Sequence, residues 1–219
     1  MSDAMYVLLL DLACGTFLLA GVLVLWRRDL SAIVALFALQ GLALAVLVVV
    51  LGLHQGEMEL VAVGVGVGAL RAGLLPSLMR RALAASGEAR ETRPLVNVAT
   101  SLLVAAVLAM LAYAVSQPLI ALSPSPATQA VPVALTVLLV GFFVLVTRRR
   151  ALSQVVGFLL IDNAVTATAF LTTSGVPLVV ELGVSLDVLL AVLVLQVLTT
   201  RMRAAFGGTD LDELRELHD

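Results

Sequence analysis

The amino-acid sequence predicts an all-α, polytopic membrane protein with seven transmembrane helices, its amino terminus outside and its carboxyl terminus in the cytoplasm. This prediction rests on the amino-acid composition and on the distribution of the arginine residues along the chain. Hydrophobic residues make up 61% of the 219 residues and charged residues 13%, and the mean hydropathy is +1.12. An ordinary soluble domain is about 45–50% apolar and about 25% charged. The excess of apolar residues indicates burial in lipid rather than in a water-soluble core.

Seven apolar runs are long enough to cross a bilayer, since a spanning helix needs about 20 mostly apolar residues. The first run follows an acidic residue, Asp3, and lacks a small-residue cleavage site, so we expect a retained helix and not a signal peptide. The predicted helices are Met5–Trp26, Leu30–Leu53, Met58–Met79, Leu95–Val115, Val131–Thr147, Ala151–Thr173 and Val176–Thr200.

The arginines give the orientation, and the chain contains no lysine. When seven helices alternate, every arginine outside a helix falls on one side of the membrane, and only Arg71 lies inside a helix. Because loops rich in basic residues stay in the cytoplasm, the amino terminus is predicted to be outside. The arginines on that side are Arg27, Arg28, Arg80, Arg81, Arg90, Arg93, Arg148, Arg149, Arg150, Arg201, Arg203 and Arg215.

The chain shows an internal repeat when it is shifted by 122 residues. The segment 27–34 then falls on 149–156 with two arginines, a leucine, a serine and a valine in common, and Glu59 falls on Glu181. Each three-helix unit starts outside and ends inside, so helix 4 must cross once more before a second copy can start. We therefore expect two parallel three-helix units joined by helix 4, as parallel repeats occur in transporter folds. The alternative is coincidence within a biased composition.

This duplication divides the chain into four parts. A polar connector rich in serine and proline precedes the second unit, and a polar segment after it is predicted to be a short cytoplasmic helix or a solvated tail. The parts are 1–81, the first three-helix unit; 82–130, the cytoplasmic loop, helix 4 and the outer loop; 131–203, the second three-helix unit; and 204–219, the cytoplasmic tail.

Three carboxylates in the predicted helices 6 and 7 are candidate site residues. An ionisable group near the bilayer centre costs several kcal/mol and is a functional hypothesis by default. Asp162 and Asp187 lie at similar depth near mid-membrane, and Glu181 lies nearer the outside. Coupled carboxylates of this kind can exchange protons, so the three side chains could form a proton or ion path. Hydrogen bonds that only join helices are the alternative.

Arg71 is the fourth candidate site residue. It lies about 13 Å before the cytoplasmic end of helix 3, at Arg80, too far for easy snorkelling. We expect it to pair with a carboxylate or to face a hydrated cavity. Because arginine stays protonated, it can bias neighbouring acids but cannot relay a proton.

Other chemistries find little support in the sequence. Gly64, Gly66 and Gly68 are spaced like a nucleotide-binding loop but lie in a predicted spanning helix, where close helix packing is expected. Cys14 is the only cysteine, and both histidines lie outside the predicted helices, so neither haem nor a metal cluster is expected. No nucleophile–base pair suggests hydrolysis, and no cofactor is expected in this chain.

Several segments resemble the hydrogenase-4 component E family, the membrane subunits of formate-hydrogenlyase-type group 4 [NiFe] hydrogenases. The resemblance covers nearly the whole chain. The last three helices also resemble the K subunit of complex I and the C subunit of Mrp antiporters. The segments that carry the resemblance are RETRPLVN at 90–97, RRRALSQVVGFLLIDNA at 148–164, VPLVVELGVSLDVLLAVLV at 176–194 and the tail TDLDELRELHD.

The resemblance implies a non-catalytic subunit in the proton-conducting membrane arm of a complex-I-like oxidoreductase, in a bacterial or archaeal cytoplasmic membrane. The implied partners are antiporter-like membrane subunits and hydrogenase-type hydrophilic subunits that carry Ni-Fe and Fe-S clusters, with no nucleic acid. Two positions depart from the family: Arg71 stands where lysine is usual, and Asp162 where glutamate is usual. The alternatives are a subunit of a multisubunit cation/proton antiporter and a structural linker of the membrane arm.

Overall fold

The structure is a computed structural model that describes residues 2–86, 96–149 and 151–173. Within these ranges it contains helices and turns and no extended sheet. The elements are α1 (Asp3–Trp26), α2 (Leu30–Gln55), α3 (Met58–Gly68), a π-helical turn (Ala69–Leu74), α4 (Leu75–Ser86), α5 (Val98–Leu122), the short α6 (Pro126–Gln129), α7 (Val131–Thr147) and α8 (Ala151–Thr172).

Six helical spans of the described residues are long and apolar enough to cross a membrane. The third combines α3, the π-helical turn and α4, and the fifth combines α6 and α7. The spans confirm the all-α membrane class and the first six predicted helices to within several residues. The predicted helix Val176–Thr200 and the predicted tail lie outside the described residues. The six spans are Asp3–Trp26, Leu30–Gln55, Met58–Ala84, Val98–Leu122, Pro126–Thr147 and Leu152–Thr172.

The fourth span differs most from its predicted bounds, 95–115. It begins at Val98 because Asn97 is its N-cap, and the Asn97 side chain accepts a hydrogen bond of 2.8 Å from the Thr100 amide. It continues through Pro118 to Leu122, so the proline does not end the helix.

Two helices, α2 and α7, organise the packing of the bundle. The first lies against α1, α3 and α8, and the second lies against α1, α5 and α8. Glycines bring some of these helices into backbone contact. An added Cβ at Gly64 would lie 2.9 Å from the amide nitrogen of Val49, and one at Gly68 would lie 3.0 Å from the Cβ of Ala45. The predicted packing role therefore holds for these two glycines, whereas Gly66 has nothing within 4 Å.

One end of the bundle carries arginines at the ends of several helices, and we call it the arginine-rich end. Arg148 is 4% exposed there, so it is a packed residue and not a solvated loop arginine. Its Nη2 donates to the carbonyl oxygens of Val24, Leu25 and Arg27, at 2.9, 3.1 and 3.3 Å. These are carbonyls at the carboxyl terminus of α1, which attract a cation. Arg148 thus fastens the end of α7 to the end of α1.

The third span contains a π-helical turn, at Ala69–Leu74, just before Pro76. The Leu75 amide bonds to the Leu70 carbonyl, five residues back. Pro76 has no N–H, and its ring would clash with the carbonyl four residues before it, which is that of Ala72. The chain relieves this conflict by widening one turn instead of breaking the helix.

Gly64 and Gly66 of α3 provide a matched test of this packing. Replacing Gly64 with Ala should cost about 1–3 kcal/mol of unfolding free energy, because the new Cβ meets the α2 backbone. Replacing Gly66 with Ala should cost nothing and should gain up to about 1 kcal/mol of helix propensity. Unfolding in mixed micelles, followed by far-UV circular dichroism, measures both. Equal losses at the two positions would contradict the backbone contact.

Candidate functional site

The candidate site is a buried polar cluster around Arg71, which lies in the π-helical turn. Arg71 is the middle residue of the span Met58–Ala84, and Asp162 is the middle residue of the span Leu152–Thr172. Arg71 Nη1 lies 2.5 Å from Asp162 Oδ2, which forms an ion pair, and also donates to Asn163 Oδ1. Arg71 Nη2 donates to Thr166 Oγ1 at 2.9 Å. One guanidinium therefore binds three side chains of α8.

The helical register of α8 explains how its side chains converge. Asn163 and Thr166 are three residues apart, and Asp162 and Thr166 are four apart, so all three lie on one side of the helix. Arg71 is 1% exposed and Asp162 is 12% exposed. The carboxylate is thus the less completely buried member of the ion pair.

The permanent charge of Arg71 fixes the orientation of two amides. A guanidinium only donates hydrogen bonds, so Asn163 must turn its oxygen toward Arg71 and its nitrogen away. That nitrogen donates to Gln40 Oε1 at 3.0 Å, which joins α8 to α2. Gln40 Nε2 then points toward Gly21 of α1, and it has no hydrogen-bond partner among the described residues. The hydrogen-bond series thus starts at Arg71 in the π-helical turn, passes through Asn163 of α8, and ends at the Gln40 amide of α2, which faces α1.

Gly41, next to Gln40, lets α2 approach the π-helical turn at close range. An added Cβ at Gly41 would lie 2.7 Å from the carbonyl carbon and oxygen of Arg71. No side chain fits there without moving the Arg71 backbone. This close approach of α2 to the π-helical turn is accompanied by the hydrogen bond between Gln40, the neighbour of Gly41, and Asn163. Gly41 is therefore a structural requirement of the cluster.

The structure brings together two of the four predicted site residues, Arg71 and Asp162, in a direct ion pair. Of the two environments expected for Arg71, pairing with a carboxylate is the one observed. Glu181 and Asp187 lie outside the described residues. The role of all four as a proton or ion path stays a prediction.

Sequence reasoning did not place Gln40 and Thr166 in the site. A signal existed for each. Gln40 is an amide in the interior of an otherwise apolar α2, and it aligns with Asp162 in the internal repeat. Thr166 lies four residues after Asp162, which puts it on the same helix face.

The cluster can change its net charge at one group, but it cannot by itself conduct protons across the membrane. Arg71 stays protonated, so Asp162 is the group of this ion pair that can gain and lose a proton. Protonation of Asp162 would remove this ion pair, while the hydrogen bonds from Arg71 to Asn163 and Thr166 could remain. In the described part of the chain no three histidine, cysteine or acidic side chains come together as a metal site.

Comparison with known proteins reveals one close relative over the full length. The uncharacterized protein Rv0085 of Mycobacterium tuberculosis is 53% identical over 220 residues, which covers 100% of both chains. This chain belongs to the same family as Rv0085. No family profile matches the chain, and no solved structure matches it significantly.

A more distant similarity links the chain to hydrogenase-4 component E. The proteins of that name from Escherichia coli K12 and Shigella flexneri are 30% identical over 115 residues. This alignment covers 52% of the present chain and 53% of each relative, so it spans about half of either protein. The resemblance seen in the sequence is therefore supported as a distant relationship over about half the chain, and not over nearly all of it.

A double-mutant cycle tests the ion pair. Asp162→Asn should lower the unfolding free energy by about 3–5 kcal/mol, because it removes a negative charge from contact with a buried guanidinium. Arg71→Met should be similarly costly, and the double variant should lose clearly less than the sum. Unfolding in mixed micelles gives all three values.

The control for this cycle is Asp11→Asn, which alters an exposed carboxylate of α1. We expect it to change the unfolding free energy by less than about 0.5 kcal/mol. Additive losses for the Arg71 and Asp162 variants would mean that the two side chains do not interact.

Proposed function

We propose that this chain is a non-catalytic membrane-arm subunit of a complex-I-like oxidoreductase related to the group 4 hydrogenases. Its buried charges would contribute to proton or ion translocation. The observation that carries the proposal is the ion pair between Arg71 and Asp162, at the middle of two membrane spans. Such a pair costs energy to bury and is better explained by a task than by stability.

The distant similarity to hydrogenase-4 component E supports the choice of complex. In the proposed assembly the chain holds no redox centre, and the Ni-Fe and Fe-S clusters belong to hydrophilic partner subunits. Antiporter-like membrane subunits adjoin it in a bacterial or archaeal cytoplasmic membrane. Electron transfer in the hydrophilic subunits would change the electric field at the membrane arm, and Asp162 is the group through which this chain could respond.

The proposed topology has seven helices with the amino terminus outside, built from two parallel three-helix units. Contacts between the two halves of the chain support the duplication. Asn163 and Gln40 are 123 residues apart, and Arg148 contacts carbonyls 121 to 124 residues before it. These separations lie close to the 122-residue offset of the repeat. Parallel repeats about an axis along the membrane normal bring equivalent positions to the same depth.

The composition of the complex is the first test. We expect a tagged version of this chain, purified in mild detergent, to bring antiporter-like membrane subunits together with iron–sulfur proteins. Mass spectrometry identifies these proteins, and metal analysis should find iron and nickel. Antiporter-like subunits without either metal would instead support a cation/proton antiporter. A chain that purifies alone would contradict both assignments.

The role of the buried acids is the second test. In proteoliposomes of complex that has been selected for normal subunit content, Asp162→Asn should abolish most redox-driven proton uptake while electron transfer continues. Asp187→Asn and Glu181→Gln belong to the same experiment, and Asp11→Asn is the matched control. Normal proton uptake by an Asp162→Asn/Asp187→Asn variant would exclude the relay role. It would leave a structural linker of the membrane arm.

A further inference from the structure

A cavity of about 460 Å³ lies at the end of the bundle opposite the arginine-rich end. It is bounded by the turn between α2 and α3, by the segment between α5 and α7, and by the end of α8. Oxygen-bearing side chains dominate its wall, and among the described residues that line it Glu57 is the charged one. The polar residues of the wall are Gln55, Glu57, Ser123, Ser125, Thr128, Thr172 and Thr173.

The hydroxyl groups of this wall present acceptors. Thr172 donates its hydroxyl proton to the Thr168 carbonyl at 2.8 Å, and Thr173 donates to the Ala169 carbonyl at 2.6 Å. Because each hydroxyl has a single proton to donate, the oxygen lone pairs remain for another partner. Together with the Glu57 carboxylate, they make the cavity attractive to cations and unattractive to anions.

The buried residues Leu51, Phe170 and Leu171 give the cavity an apolar floor. Phe170 lines the cavity and is 2% exposed. It lies four residues after Thr166 on α8, so the two side chains share a helix face about 6 Å apart along the axis. Thr166 is the hydrogen-bond partner of Arg71. By helix register, Phe170 therefore lies between the cavity and Thr166 along this face of α8.

We propose that this cavity is a cation-accepting vestibule for the Arg71 and Asp162 ion pair, and that Phe170 is the side chain that closes it. The occupant is a small hydrated cation, either a proton carried by water or Na⁺. Movement of the Phe170 ring would connect the vestibule to Thr166, and from there to the carboxylate of Asp162. The inference rests on the proposed ion-translocating function, but its test measures access and not transport.

Cysteine labelling in opened membranes tests the vestibule. In a Cys14→Ala background, which removes the only cysteine, Thr173→Cys should react with a cationic methanethiosulfonate. Its rate should exceed that of the anionic reagent roughly tenfold, after correction for their rates with a free thiol. Adding Glu57→Gln should reduce this preference. Met110→Cys, at a 73% exposed position within the span of α5, is the lipid-facing control and should stay unreactive.

The same background tests the closing role of Phe170. A Thr166→Cys reporter should be unreactive when Phe170 is present and should become reactive with Phe170→Ala, whereas Phe170→Leu should keep it closed. Leu171→Ala is the matched control, since Leu171 also lines the cavity and is 3% exposed but lies off the face of Thr166. Protection of Thr173→Cys by Na⁺ over choline would identify Na⁺ as the occupant, and equal rates would exclude Na⁺.

Two results would overturn the inference. Equal rates of the cationic and anionic reagents at Thr173→Cys would remove the cation vestibule. A Thr166→Cys reporter that stays unreactive with Phe170→Ala, or that Leu171→Ala exposes equally, would remove the gate. Neither result depends on turnover of a complex, so these experiments test the vestibule independently of the proposed function.

Discussion

A permanent positive charge at the middle of a membrane span is the constraint on which the described bundle depends. Arg71 cannot lose its proton and can only donate hydrogen bonds, so the surrounding helices must supply acceptors. Asp162, Asn163 and Thr166 do so from one face of α8. Asn163, with its oxygen held by Arg71, donates its amide nitrogen to Gln40 of α2. The electrostatics of one residue thereby sets which helices must meet.

The backbone of α2 and of the π-helical turn allows these elements to come into contact. Glycine at position 41 brings α2 against the carbonyl of Arg71, and the π-helical turn before Pro76 widens the helix where that contact occurs. Elsewhere, Gly64 lets α3 approach α2, and Arg148 fixes the end of α7 to α1. Small residues and a few strong polar contacts therefore hold the helices together, as expected where lipid removes most of the hydrophobic driving force between them.

Much of the fold was predictable, because length and apolarity alone define a spanning helix. The isolated charges of Arg71 and Asp162 were equally visible in the sequence. Their pairing was one of two open alternatives, since nothing local shows that the side chain of Arg71 reaches α8. The sequence shows Pro76, but a proline alone does not determine whether its helix breaks or widens, as it does here. Bias in the composition also made the internal repeat hard to separate from coincidence.

Solid-state NMR of the chain in lipid bilayers tests the central claim most directly. With ¹⁵N-arginine and ¹³C-aspartate labels, we predict a dipolar coupling between the Arg71 guanidinium and the Asp162 carboxylate that corresponds to a hydrogen-bonded contact. The signal should disappear in Asp162→Asn and persist in Asp11→Asn. Absence of the coupling in the unmodified chain would contradict the account, because the buried charge would then have another partner.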